Sequence, residues 1–226
     1  MSAVVTGAGQ GIGRAIALAL SARGSPVALL GRHVDPLRAV ENEIEKRGGK
    51  AIAIACDVSK SVDVEAARDA VLSKLGAPRV VVNNAGVAHR VDLVSTPEEI
   101  WDETLDVNLK GAFLVARAFL PSMIQARNGR IVSISSISGT LGTKRMTAYC
   151  ASKWGLVGLT KALAEETRGT GVQAMCVMPG SVDTAMLEGS GFSPEMTPED
   201  VASLVAYAAF DAPPAMNGSA IDMFGA

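Results

Sequence analysis

A chain of 226 residues with 48% hydrophobic content is long enough to bury one large core, and a single domain over 1–226 is expected. A net charge of -2 from 21 basic and 23 acidic residues shows no basic stripe of the kind a phosphate backbone demands, so nucleic acid is set aside as a partner. Cys56, Cys150 and Cys176 are odd in number and widely spaced, with no charged leader or long apolar run in the chain. That usage fits neither a disulfide framework nor a zinc site, and a soluble cytoplasmic protein with no metal and no membrane contact is expected.

Short apolar runs rich in valine and isoleucine alternate with segments of helical period, without linkers or repeats. Strands are expected near 3–6, 26–31, 51–56, 79–83, 129–135, 172–178 and 219–223, and helices near 11–23, 34–47, 61–75, 97–124, 147–168 and 198–210. Strands that are apolar throughout imply burial on both faces, hence a parallel sheet covered by helices. The pattern is α/β, a doubly wound parallel sheet of about seven strands in the manner of a Rossmann fold.

The first strand runs into Thr6, Gly7, Ala8, Gly9, Gln10, Gly11, Ile12 and Gly13, then into an alanine-rich helix. Glycines let the backbone turn tightly and approach a pyrophosphate, which the amides and dipole of the following helix attract. A tight strand-to-helix connection alone would also use them, and the spacing departs from GxGxxG. At the end of the second strand, where a ribose-binding acid would stand, the chain has Gly31 followed by Arg32. A guanidinium without a carboxylate suits a 2'-phosphate, so NADP(H) is favoured over NAD(H), with Arg14 as a second positive charge.

Asp57 and Val58 end the third strand, and Asn83, Asn84, Ala85 and Gly86 end the fourth, at the edge where open α/β sheets bind ligands. Asp57 would equally serve to start a helix, and the asparagines to form a turn. The segment 97–124 places Trp101, Leu105, Leu109, Phe113, Phe119 and Leu120 around more than one face, and the segment after Lys153 does the same with Trp154, Leu156 and Leu159. A second apolar face suits either core packing or a neighbouring subunit, as in a homodimer or homotetramer.

In the helix near 147–168, Tyr149 and Lys153 are four apart and share one face. A free phenol titrates near ~10, too high for proton transfer near neutrality. An ammonium at roughly 4 Å in an effective dielectric of about 20 would favour the phenolate by about 4 kcal/mol, on the order of three pKa units, with burial of the pair acting against it. An isolated pair of this kind would be an ordinary helix pair.

With these pieces together, the sequence resembles the short-chain dehydrogenase/reductase family over nearly its whole length. The resemblance rests on TGxxxGxG at 6–13, NNAG at 83–86, Ser136, YxxxK at 149–153, and Pro179 and Gly180 leading to Thr184. It implies a catalytic group of Asn108, Ser136, Tyr149 and Lys153. Ser136 would hold the substrate oxygen, Tyr149 pass the proton, Lys153 lower the phenol's pKa and bind the nicotinamide ribose, and Asn108 anchor a water leading to bulk. It also implies that Asp57 and Val58 contact adenine, that Asn83 to Gly86 border the cofactor, and that Val182 and Thr184 meet the carboxamide. Hydride transfer to a carbonyl builds negative charge on oxygen, and a serine hydroxyl with a phenol beside an ammonium answers it without a metal.

The stretch 185–196 is a short run with Gly189, Gly191 and Phe192 where relatives carry a longer helical lid, so a more open substrate pocket is expected. Lys144 and Arg145 lie near the expected entrance and would favour an anionic group, though a solvated loop explains them equally. His89 and Arg90 follow NNAG with no role assigned. The resulting expectation is an NADP(H)-dependent oxidoreductase acting on a small ketone, aldehyde or secondary alcohol, similar to the 3-oxoacyl-carrier-protein reductases, with Arg127 as a docking charge for an acidic carrier. The rival is a catalytically silent NADP(H)-sensing scaffold.

Overall fold

Successive residues of the first strand point to opposite faces of the sheet, and both faces are dry. In the computed structural model, which describes residues 1–225, β1 (Ser2–Thr6) sends Ala3 and Val5 to one side and Val4 to the other, all fully buried. The remaining strands are β2 (Val27–Gly31), β3 (Ala51–Ala55), β4 (Pro78–Asn83), β5 (Gly129–Ile134), β6 (Val172–Pro179) and β7 (Ala220–Met223). All pair in parallel in the order β3-β2-β1-β4-β5-β6-β7, as the apolar strands require.

Helices α1 (Gly11–Ala22), α2 (Val34–Lys46) and α7 (Pro198–Phe210) cover the first face, with Ile16, Leu20, Leu37, Ile44, Val201 and Val205 in the core. The other face is covered by α3 (Ser61–Leu75), α4 (Glu98–Leu105), α5 (Gly111–Gln125) and α6 (Thr147–Glu166), which contribute Val64, Val71, Leu114, Phe119, Met123 and Ala164. Strand and helix limits lie within about two residues of those read from the sequence, the usual fraying of such boundaries. The segment 185–196 forms turns and no helix, as expected of a short lid.

The segment expected as one plain helix over 97–124 is continuous from Glu98 to Gln125 but contains a π-helical turn at Asp106–Lys110, between α4 and α5. At 28 residues it is long and apolar enough to cross a membrane, which corrects the expectation that no stretch approaches that length. Its Leu114, Val115, Phe119 and Met123 pack into the sheet core, the ordinary place for such a helix in a doubly wound fold.

Strand order reverses between β1 and β4, and the loops leaving β1 and β4 diverge there. The carboxyl ends of the strands open at that point into a crevice.

Candidate active site

The glycine loop is built to stay close to its neighbours. Gly7 has φ +63, the left-handed region that side chains rarely adopt, and a Cβ on Gly13 would collide with the Gly7 carbonyl and the Asn84 amide. Thr6 and Asn84 clamp this arrangement: the Thr6 hydroxyl accepts from the backbone N–H of Asn84 (2.9 Å) and Ala85 (3.0 Å), while Asn84 Nδ2 donates to the Thr6 carbonyl at 2.9 Å. Thr6 is thus a buried tie between β1 and β4 rather than a wall of the crevice. Asn83 is likewise buried within β4, so its expected place along the cofactor is corrected to the sheet interior.

Gly7, Gly9, Gln10, Gly11, Ile12 and Gly13 do line the crevice, with Asn84, Ala85 and Gly86 opposite. Gln10 at the start of α1 makes no side-chain cap, leaving the helix N-terminus without a side-chain acceptor at the crevice. That is the chemistry a pyrophosphate needs.

Arg32, His33, Asp57 and Val58 form the end of the crevice over β2 and β3, with Pro36 and Leu37 as apolar walls that sequence reasoning missed. Arg32 is half exposed and held only loosely, 3.9 Å from Glu103. Asp57 accepts from the Ser59 hydroxyl at 2.7 Å and the Ser59 N–H at 3.1 Å. Burial acts to raise its pKa, but these bonds with the Lys60 and Arg32 charges outweigh it and hold the carboxyl below its usual range.

Arg14 does not join this end. One turn into α1, it donates to Glu43 of α2 at 2.7 and 2.8 Å, and Arg47 binds the same carboxylate. Its guanidinium is turned to α2 and does not line the crevice, which overturns the expectation of a second phosphate cation.

At the other end stand Tyr149 and Lys153, one above the other on α6 as their spacing dictates. Lys153 is 4% exposed and donates to the carbonyl of Ile134, the last residue of β5, at 2.8 Å. Its Nζ lies 5.5 Å from the centre of the Tyr149 ring. Burial pulls the Lys153 pKa down to about 8.

The same burial pushes the Tyr149 phenol up, against the downward pull of the Ser136 hydroxyl and the Arg90 charge. The sequence-based expectation of a phenol acidified by Lys153 is therefore corrected for this state of the protein: the ammonium turns to the Ile134 carbonyl, and desolvation dominates. Ser136 continues from β5 in extended conformation, with its Oγ accepting from the Ser138 N–H at 3.1 Å and Tyr149 close by.

Asn108 lies inside the π-helical turn and is 1% exposed. Its Oδ1 accepts from the Val87 N–H at 2.8 Å, and Nδ2 donates to the Val87 carbonyl (2.9 Å) and Ser152 Oγ (3.0 Å). Both amide hydrogens are engaged, so the side chain fixes the loop after β4 against α6 and has no donor left for a water.

A second pocket adjoins the crevice and shares Ile12, Ile134, Ser135, Tyr149, Thr184 and Met186 with it. Pro179, Gly180 and Val182 line this pocket rather than the crevice, and Thr184 lines both. Arg145 pairs with Asp92 at 3.6 Å, and neither Lys144 nor Arg145 lines the pocket. Arg127 precedes β5 and binds the Gly169 carbonyl at 3.2 Å, at the edge of the sheet opposite the crevice.

A dinucleotide crevice at the switch point of a doubly wound sheet, ending in a serine, a tyrosine and a lysine, defines a nucleotide-dependent oxidoreductase. The chain belongs to the short-chain dehydrogenase family, whose model matches residues 1–192 and whose members bind a nicotinamide cofactor. It is 38% identical over 186 residues to a 3-oxoacyl-acyl-carrier-protein reductase, FabG, of Staphylococcus epidermidis, covering 82% of this chain and 76% of the relative. A short chain dehydrogenase of Pseudocercospora fijiensis is 37% identical over 187 residues, 82% of this chain, which spans only 60% of that relative's length. A crystal structure of a candidate NAD(P)-dependent gluconate 5-dehydrogenase from Beutenbergia cavernae, with NADP at low occupancy, is 34% identical. It superposes with a TM-score of 0.91, covering 98% of this chain and 94% of that one.

Proposed function

We propose that the protein is an NADP(H)-dependent reductase of small ketones or aldehydes, or in reverse a dehydrogenase of secondary alcohols. The observation that carries this reading is the convergence of Ser136 and Tyr149 where the crevice meets the second pocket, with Lys153 buried behind them. The FabG relative and the NADP-containing Beutenbergia structure support a carbonyl substrate and the phosphorylated cofactor.

The cofactor fits the residues present. The glycine loop and the uncapped start of α1 would hold the pyrophosphate, Arg32 the 2'-phosphate, Asp57 and Val58 the adenine, and Lys153 the nicotinamide ribose. When bound, it supplies the hydride. Ser136 Oγ then donates to the substrate oxygen as negative charge develops there, and Tyr149 Oη delivers the proton. Asn108 keeps the β4 loop and α6 in register so that both groups reach one point. The two-sided apolar helices α5 and α6 support a homodimer or homotetramer.

Titration with NADPH and NADH, followed by a screen of ketones for cofactor oxidation, tests the reading. Arg32→Ala is expected to weaken NADPH about tenfold or more and NADH little, since one charge-assisted contact is worth roughly 1.5–3 kcal/mol. Tyr149→Phe is expected to lower kcat by about 10²- to 10⁴-fold with cofactor binding retained. Cofactor binding without turnover of any ketone, unchanged by Tyr149→Phe, would replace the enzyme with a nucleotide-sensing scaffold.

A further inference from the structure

The pocket beyond Tyr149 has a volume of about 160 Å³, room for a short substrate. Ile12, Ile134, Ile137, Met146 and Phe192 line it together with the hydroxyls of Ser136, Ser138, Thr143 and Ser181. Among the described residues that line it, Arg90 alone is charged.

Three contacts fix Arg90 there. Its Nη2 donates to the carbonyl of Met186 in the lid at 3.1 Å, its own carbonyl accepts from Arg145 at 3.2 Å, and the next N–H, of Val91, donates to the Arg145 carbonyl at 2.9 Å. No carboxylate answers its charge among the described residues: Asp92, two positions on, is engaged by Arg145. The Nε hydrogen is buried and has no partner. A guanidinium with no carboxylate beside it, in a pocket whose other described lining residues are uncharged, is the group an anionic ligand would meet.

We propose that Arg90 is the specificity-determining residue of this pocket, and that the substrate is a short oxo acid, or the matching hydroxy acid, whose carboxylate binds the Arg90 guanidinium while its reacting oxygen lies at Ser136 and Tyr149. This rests on the reductase reading above. The carboxylate is a handle: no bond to it forms or breaks, and it keeps its charge through the reaction. With one Nη2 hydrogen tied to Met186, the guanidinium keeps further Nη–H groups with which to hold a planar carboxylate.

The test compares 2-oxobutanoate, 3-oxobutanoate and 4-oxopentanoate with their methyl esters, using NADPH. At least one acid is expected to exceed its ester in kcat/KM by about tenfold or more, and Arg90→Met to lower that ratio about tenfold, with Arg90→Lys keeping part of it. The ratio is read because loss of the Met186 contact could change both rates together. Esters equal to acids throughout, a ratio unmoved in Arg90→Met, or turnover of neutral ketones alone would overturn the proposal and leave the reductase reading intact. Preference for glycerone phosphate over every acid would overturn the carboxylate assignment.

Binding decides the matter should no ketone be reduced, an outcome that would fail the reductase reading itself. Calorimetric titration of the protein with NADP+ present is expected to show saturable binding of butyrate, none of butanamide, and loss of butyrate binding in Arg90→Met. Equal behaviour of butyrate and butanamide would overturn the role of Arg90.

Discussion

A single helical turn separates Tyr149 from Lys153, and the sequence states that spacing without stating where the ammonium points. Helix phase is a property of the residue order, whereas the rotamer of a four-carbon side chain is chosen by the nearest acceptor, here the carbonyl of Ile134. The result is a lysine whose buried charge is a cost. Its pKa falls from 10.5 to about 8, so between those values the unfolded chain binds more protons than the folded one, and stability rises with pH across that window. Below about 8 the cost is present in full, on the order of 3 kcal/mol. Lys153→Met is expected to raise the unfolding free energy at pH 7 by up to that amount and by progressively less toward pH 10, measured by urea denaturation at several pH values. An equal gain at every pH would mean that packing, not charge, separates the two proteins. In the native protein the same proton is expected to set an alkaline limb near pH 8 in kcat/KM, which reports groups of the free protein.

At the scale of elements, the strands and most helices were legible because burial on both faces leaves an unbroken apolar run and each helix carries its own period. The π-helical turn was not. One extra residue in a turn leaves the apolar spacing of a helix as two-sided as Glu98–Gln125 almost unchanged, and the reason for it, Asn108 meeting the backbone of Val87, lies 21 positions away. The tie between Thr6 and Asn84 was invisible for the same reason: in sequence both read as ligand contacts, and only the pairing of β1 with β4 shows Thr6 turned inward to hold the loop on which Asn84 lines the crevice. Arg14 was misread because its partner, Glu43, belongs to a different helix. Asn108→Ala would strip partners from the Val87 N–H, the Val87 carbonyl and the Ser152 hydroxyl in a buried place. It is expected to cost about 3 kcal/mol of unfolding free energy, with Ser152→Ala costing less, since it leaves both bonds to Val87 in place and removes the Asn108 contact and the bond from Ser152 to the Tyr149 carbonyl. Loss of activity in Asn108→Ala without loss of stability would instead point to a direct role in proton transfer.

At the scale of the whole molecule, the reversal of strand order beside β1 gives one chain a crevice with two ends, one over β2 and β3 with Arg32 and Asp57 and one over β5 and α6 with Tyr149 and Lys153. Nothing in that arrangement accounts for the outer face of the helices beside it. The π-helical turn and α6 pack closely, with Leu109 lying where a side chain on Gly155 would stand, and the faces turned away from the sheet carry Phe113 at 42% and Trp154 at 54% exposure. The Arg117 guanidinium stacks on the Phe113 ring at 5.1 Å, which holds the aromatic in place on the surface. Large aromatics fixed on adjacent helices are costly against water and suit a two-fold seam in which each helix meets its copy. Sedimentation velocity is expected to show a dimer or a multiple of it at micromolar concentration, and Trp154→Glu to lower the sedimenting mass by at least half with the far-ultraviolet circular dichroism unchanged. A monomeric wild type would leave these aromatics without a partner, and an unchanged assembly in Trp154→Glu would move the seam to another face.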